Sequence, residues 1–243
     1  MVLLGLRTYN KHISVMRTFT NWGIRVKNYP SINAFNHIEL RTENKGDATI
    51  IAKEEFENLL SVITPKNGMC KGRDKNRHYY HPWLRTAFQL ALETGLRREE
   101  FFGLRWSDII EMQKGVLIIR VMNHKVNRIA TGDGNGKSIK YVPVTKSLMQ
   151  LLSNLNYADK KETSGYIIER SDELGMTYLK NILSRSFAHY IKQATDRNIE
   201  FKDLRKTYIT HLTFALGPNA KLFTGHINDQ VLKNHYLSNA FIT

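Results

Sequence analysis

The stretch KDLRKTYITHLTFALGPNAKLFTGHINDQVLKNHY, Lys202 to Tyr236, decides how the rest of the chain is read. Lys202 and Arg205 stand three residues apart, so on a helix they share one face. Gly225-His226 follows, and Tyr236 comes ten residues after that histidine. Taken singly, each feature has an ordinary reading: an exposed arginine, a helix end at Gly-His, a tyrosine packed between leucines. Taken together, cations plus a hydroxyl suit attack on a phosphodiester. The tyrosine would be the nucleophile and the cations would hold the phosphate oxygens. No Asp/Glu cluster accompanies them, so the pattern does not point to a metal-dependent nuclease.

Lys202-Asp203-Leu204-Arg205-Lys206-Thr207 resembles the HxLR-(R/K)-T box of the tyrosine recombinases, the phage-integrase family. Thr224-Gly225-His226 resembles that family's LGH box, and Tyr236 falls where its nucleophile falls. Two departures stand out: Lys202 occupies the place of the usual histidine, and the histidine-to-tyrosine gap is ten residues where nine is commoner.

Working toward the N-terminus, residues 82–94 read as a helix, with Leu84, Ala87, Phe88, Ala91 and Leu92 on one face and Gly95 as its stop. Thr94-Gly95-Leu96-Arg97-Arg98-Glu99-Glu100, running on to Leu104-Arg105-Trp106-Ser107-Asp108, closely resembles the family's TGLRxxE and LxWxD signature. Gly95 turns the chain. Arg97 is expected at a helix start, where free N–H groups favour an anion. Glu100, three residues on, can pair with a basic side chain and hold it in place. Arg98 reads as solvated or as a phosphate contact, and Trp106 as core.

Residues 115–125 (GVLIIRVMNHK) are β-rich, and residues 138–144 pair naturally with them across the turn-forming cluster TGDGNG at 131–136. The family's β2–β3 hairpin carries a lysine that acts as general acid. Counting forward along the first strand puts Lys125 at that position, whereas counting back from Pro143 lands on Asn135, beside Lys137. Insertions belong in turns, which favours Lys125, with Lys137 as the alternative.

The chain has 243 residues, 42% of them hydrophobic, enough for one large core or a core with a small appendage. Its formal net charge of +14 points to a polyanionic partner, nucleic acid foremost. A membrane surface would want a basic amphipathic helix or a long apolar run, and neither stands out. The single cysteine, Cys70, excludes an internal disulfide and a cysteine-based zinc site. Nothing resembles a signal peptide, so a cytoplasmic protein is expected.

Residues 8–26 read as a helix with Ile13, Met16, Phe19 and Trp22 on one stripe. It resembles the last helix of the family's core-binding domain, with Asn28-Tyr29-Pro30 near that domain's exit, and earlier helices are expected to precede it. Residues 43–49 (ENKGDAT) are the best linker. The expected division is therefore 1–42 as a fragment of the core-binding domain, 43–49 as linker, and 50–243 as catalytic domain. Helices are expected at 53–63, 147–155 and 177–194, a basic loop at 64–78, and mostly loop at 157–175. The fold class is α+β: mostly helical, with one small antiparallel sheet.

The resemblance implies site-specific DNA strand exchange through a 3′-phosphotyrosine, by an enzyme of a bacterium, phage or mobile element. Tyr236 would be the nucleophile. Arg97, Arg205, Lys202 and His226 would surround the phosphate, Lys125 would protonate the leaving 5′-oxygen, and Glu100 would support. No cofactor or metal is implied. The implied partners are double-stranded DNA and three further copies of the chain, a homotetramer on two duplexes; accessory DNA-bending or directionality proteins fit the same pattern. A type IB topoisomerase would use the same chemistry without synapsis. A non-catalytic DNA-binding module would explain the charge but not the Arg/Arg/His/Tyr set.

Overall fold

The computed structural model describes residues 5–28, 32–42, 48–70, 77–112, 115–122, 139–169 and 174–224. The chain divides into two compact units, residues 1–46 and 47–243.

The first unit is built on α1 (Leu6–Lys27), which ends at Asn28 in the left-handed conformation. A short 3-10 turn, Ala34–His37, returns along it. Among the described residues the return is held by polar side chains. Asn33 donates to the Arg17 carbonyl (3.0 Å) and to Asn21 Oδ1 (2.8 Å), and Arg17 Nε donates to the Phe35 carbonyl (2.8 Å). Asn10 clasps the backbone of Arg41 in both directions, each bond 2.8 Å. The apolar stripe expected from the sequence is real, and Met16, Phe19 and Trp22 on it are exposed.

The second unit starts with α2 (Lys53–Val62). Glu55 in its first turn accepts from the Ala52 N–H (2.9 Å), satisfying one orphan donor of the helix start. The same carboxylate takes Arg197 (2.8 Å) and Thr195 (2.9 Å), tying α2 to the far end of the long helix it packs on. Next comes α3 (Leu84–Thr94), whose Leu84, Ala87, Phe88, Leu90, Ala91 and Thr94 are all buried. Its cap, Gly95, has φ +57°, a conformation that costs an L-residue roughly 1–2 kcal/mol. One turn of helix, α4 (Arg98–Phe101), leads to the sheet.

The sheet has three antiparallel strands in the order β1 (Ile109–Glu111), β2 (Leu117–Met122) and β3 (Ile139–Pro143). Ile119 lies opposite Ile109 on one side and Val142 on the other, and all three are buried. The expected hairpin is therefore present, in a register that buries every second residue. The β1 strand is an addition to it: three residues are too few to show an alternation, so the sequence gives no sign of them.

Further helices among the described residues are α5 (Lys146–Asn154), α6 (Tyr157–Lys160), α7 (Met176–Ala194) and α8 (Phe201–Leu216). The short α9 (Ala220–Thr224) then follows. The α6 turn lies in a segment that reads as loop. Phe88 (α3), Phe101 (α4), Phe187 (α7) and Phe201 (α8) meet with ring centroids 5.2–6.1 Å apart. Burying an aromatic of this size contributes about 1.5–3 kcal/mol. This cluster therefore locks α3, α4, α7 and α8 together, and its Phe187 and Phe201 line the same cavity as Arg97 and Arg205. Trp106 is core, 2% exposed. The 64–78 segment closes on itself through a bridge between Met69 and His78, while Lys71, Arg73 and Lys75 of that basic run lie outside the described residues.

Candidate active site

The segment after Gly95 turns on one carboxylate. Arg97 is the N-cap of α4, with φ −72° and ψ 152°, and Glu100 is the third helical residue. Glu100 reaches back so that its Oε2 accepts from the Arg97 backbone N–H (2.8 Å), while Oε1 accepts from Arg97 Nη1 (2.9 Å). One side chain thus caps the helix and aims the guanidinium. Arg97 thus stands at a helix start, as the sequence leads one to expect, and its own N–H is taken by Glu100. Glu100 is 3% exposed.

Arg205 arrives from α8, where burial sorts the side chains of the KDLRKT box. Asp203, Leu204 and Thr207 are buried. Asp203 caps the helix by accepting from the Glu200 N–H (2.7 Å), and its other oxygen takes Lys206 (2.6 Å). Thr207 accepts from the Ile51 N–H (2.9 Å), which fixes α8 to the start of the unit. Arg205, between these anchors, donates to the carbonyl of Gly95 and to that of Thr224 (3.3 Å). Gly95 is required here for a second reason: a Cβ at that position would lie 2.2 Å from the ring of Tyr208, one turn past Arg205.

Arg97 and Arg205 both line one cavity of about 620 Å³ between α3, α4, α7 and α8. Its apolar floor includes Leu96, Phe187, Ile191, Phe201 and Leu204. Arg97, Arg98, Lys192, Arg197, Lys202 and Arg205 contribute cations to the lining, against Glu99, Glu100 and Glu200, so the cavity as a whole favours an anion. Lys202 is exposed, its Nζ 2.6 Å from Glu200. Arg98 donates to Ser184 (2.6 Å) and Glu99 takes Lys180 (3.0 Å), pinning α4 to α7. Lys125, Lys137, His226 and Tyr236 lie outside the described residues.

One residue of the site is absent from the sequence-based set. Lys140 of β3 is 3% exposed, and its Nζ lies 2.6 Å from Glu100 Oε2. On β3 the inward positions are Lys140 and Val142, while Ile139 and Tyr141 face outward, 46% and 43% exposed. Hydrophobicity alone would choose the opposite face. Burial pushes the Lys140 ammonium down to about 8; Glu100 opposes this, and Arg205 and Arg97 add to it. Burial also pushes the Glu100 carboxyl up, but Lys140 and Arg97 outweigh it and hold the group below the usual carboxylate range. Both partners are thus charged at neutral pH, as a buried lysine and carboxylate in contact require.

A cation-rich cavity with an apolar floor thus sits on a mostly helical domain with one small sheet. The chain belongs to the phage integrase family, whose model matches residues 53–241. It is similar to a tyrosine recombinase XerC-like protein of Caldanaerobacter subterraneus subsp. tengcongensis, with 28% identity over 178 residues. That match takes in 63% of this chain, and the chain spans 45% of that relative's length. Among solved structures it is similar to the Tn1549 transposon integrase in complex with circular intermediate DNA (TM-score 0.59, 18% identity, 96% of this chain and 75% of that one). It is also similar to a lambda integrase tetramer bound to a Holliday junction (TM-score 0.56, 17% identity, 92% of this chain and 62% of that one). At such identities the shared feature is the fold: mostly helical, with a small antiparallel sheet. Among the described residues no helix is long and apolar enough to cross a membrane.

Proposed function

We propose that this chain is the catalytic part of a site-specific DNA recombinase that cleaves and rejoins strands through a 3′-phosphotyrosine. The observation that carries the reading is the meeting of Arg97 and Arg205, 108 residues apart in sequence, around the Gly95 turn and on one cavity. The Tyr236 hydroxyl gives up its proton, with His226 or Lys202 assisting the ionisation; its oxygen attacks phosphorus, the bond to the 5′-oxygen breaks, and that oxygen leaves with a proton from Lys125. Attack by the 5′-hydroxyl of a partner strand reverses the step, with tyrosine as the leaving group. Charge builds on the non-bridging oxygens during attack, so fixed guanidinium groups stabilise the transition state more than the ground state. Arg97, Arg205, Lys202 and His226 supply these cations, and Glu100 orients Arg97. The phosphotyrosine bond conserves the energy of the cleaved one, so no cofactor takes part.

Residues 1–42 belong to the core-binding domain, with 43–49 as linker and 50–243 as the catalytic domain. The partners are double-stranded DNA and three further copies of the chain, a tetramer on two duplexes. DNA-bending or directionality proteins assist in the cytoplasm of a bacterium during integration or excision of a mobile element. Support comes from the family match, from the +14 charge, and from DNA-bound neighbours that include a tetramer. The test is incubation with nicked duplexes covering the DNA that flanks the coding gene. A covalent protein–DNA complex that survives denaturation supports the reading; salt-dependent DNA binding without any adduct would leave a binding module instead.

A further inference from the structure

We infer that Lys140 is a positioning residue for Arg97, acting through Glu100. It holds the carboxylate in place from the sheet side and balances its charge, so that Arg97 presents a cationic guanidinium to the cavity. The inference rests on the DNA-cleavage reading and adds to it a residue that carries no motif.

Among the described residues three donors converge on Glu100. Lys140 Nζ and the Arg97 N–H share Oε2, at 2.6 and 2.8 Å, and Arg97 Nη1 takes Oε1 at 2.9 Å. Two of the three belong to Arg97 itself, on the same turn of chain. Among the described residues only Lys140 comes from another element, a strand 40 residues away, and it ties the carboxylate to the sheet. Without it, Glu100 would be a buried carboxylate with Arg97 as its remaining cationic partner. The guanidinium would be drawn into a tight pair, and the charge it offers a phosphate would fall. In formal charge, Arg97, Arg205 and Lys140 against Glu100 leave +2 at this corner, and removal of Lys140 leaves +1.

Lys140 does not itself act on a DNA oxygen. Its side chain is 3% exposed, and its ammonium sits on Glu100. The inward register of β3 is therefore a device. A lysine takes an inward place opposite Val121, with Val142 inward two residues on, while Ile139 and Tyr141 are left in solvent. An apolar residue at 140 would satisfy the core but not Glu100.

The test uses the full chain, single-turnover adduct formation on the nicked duplexes above, and a matched set of duplexes with sulfur replacing the bridging 5′-oxygen. Lys140→Met should slow adduct formation on the order of 10²-fold, the scale of loss from a displaced catalytic group. DNA affinity should change much less than the rate. Lys140→Arg, which keeps the charge and the donor, should recover most of it. The sulfur leaving group needs no proton, so it should not rescue Lys140→Met. Wild-type rates in Lys140→Met, or rescue by sulfur, would overturn the inference, the latter making Lys140 an acid. Should Lys140→Met not fold, Lys140→Gln removes the charge, keeps a donor, and carries the same expectations. A second readout is independent of cleavage: the Nε–Hε NMR signal of Arg97, assigned by its loss in Arg97→Lys. It should move in Lys140→Met and return toward its original place in Lys140→Arg; a signal that stays put contradicts the role. If the wild type forms no adduct, the cleavage reading fails, and this signal alone decides the role of Lys140.

Discussion

Arg205 donates to the carbonyl oxygen of Gly95, two residues before Arg97, so a long helix and a tight turn fix two cations with one contact. The turn can approach that closely because Gly95 has no side chain and tolerates φ +57°. Gly95→Ala meets both obstacles: a left-handed alanine and a Cβ 2.2 Å from the Tyr208 ring. It should destabilise the second unit by roughly 1–3 kcal/mol or more. Gly95→Ala/Tyr208→Ala, with the ring removed, should recover part of that loss in urea unfolding. Equal stability of the single variant and the wild type would refute the packing described.

Arg97→Ala and Arg205→Ala should each slow DNA cleavage by at least about 10²-fold, since each removes a transition-state donor. Affinity for the same duplex should fall much less than rate. Equal losses in both would make them binding groups only. The check is a comparison of single-turnover rate with a filter-binding or anisotropy titration for each variant.

The buried pair makes two stability predictions. At neutral pH, Lys140→Met should cost about 3–5 kcal/mol, because it leaves Glu100 without its nearest cation, while Lys140→Met/Glu100→Gln should lose much less. The pH dependence follows from the direction of the Lys140 shift. Its folded value, about 8, lies below the ordinary lysine value of 10.5, with Glu100, Arg97 and Arg205 as the charged groups facing it. Between those values the unfolded chain holds a proton that the folded chain has released, so stability rises with pH through that window. Below about pH 8 the cost of burying the charge is present in full. The wild type should therefore gain on Lys140→Met as pH rises from about 8 toward 10, with other lysines and tyrosines cancelling in the difference. A constant difference across that range, measured by urea unfolding, would contradict the assignment.

Much of this was legible in the sequence, and the reasons differ by element. The helices at 53–62 and 84–94 carry apolar residues at three- and four-residue steps, and their acids and glycine sit where the ends need them. The pairing of Arg97 with Glu100 follows from a three-residue spacing. The role of Asp203 in capping α8 and the support of Arg205 by Gly95 do not, because both depend on contacts that no local pattern encodes. Lys140 was hidden for a sharper reason. A strand reading IKYV places isoleucine and tyrosine inside on hydrophobicity, and only the buried carboxylate of Glu100, 40 residues earlier, reverses that preference.

DNA binding should be strongly electrostatic, given the net charge of +14 and the cationic cavity. If roughly six to ten phosphates are contacted, affinity should fall by about 10³ to 10⁵ between about 50 and 200 mM salt. A flat salt dependence would rule out a phosphate-tracking surface.

The hairpin lysine separates by leaving-group chemistry. Lys125→Ala should slow cleavage by about 10² to 10⁴, the usual worth of a general acid, and a 5′-bridging sulfur should restore the rate. Rescue of Lys137→Ala in place of Lys125→Ala would move the acid to Lys137.

The most direct measurement concerns the nucleophile. Tyr236 is the only tyrosine after Gly225-His226, and Tyr208 is a poor competitor because burial pushes its hydroxyl up to about 12, with Arg205 opposing. A tyrosine hydroxyl is mostly protonated at neutral pH, so attack needs His226, Lys202 or another nearby cation to help it ionise. Tyr236→Phe deletes one oxygen and keeps the ring, so a packing role would survive. The nicked duplexes are incubated with wild type and Tyr236→Phe, run on a denaturing gel, and any adduct is mapped by peptide digestion. The expected result is an adduct on Tyr236 in the wild type and none in Tyr236→Phe, with DNA affinity retained. An adduct that persists in Tyr236→Phe, or that maps to Tyr208, would contradict the assignment of the nucleophile.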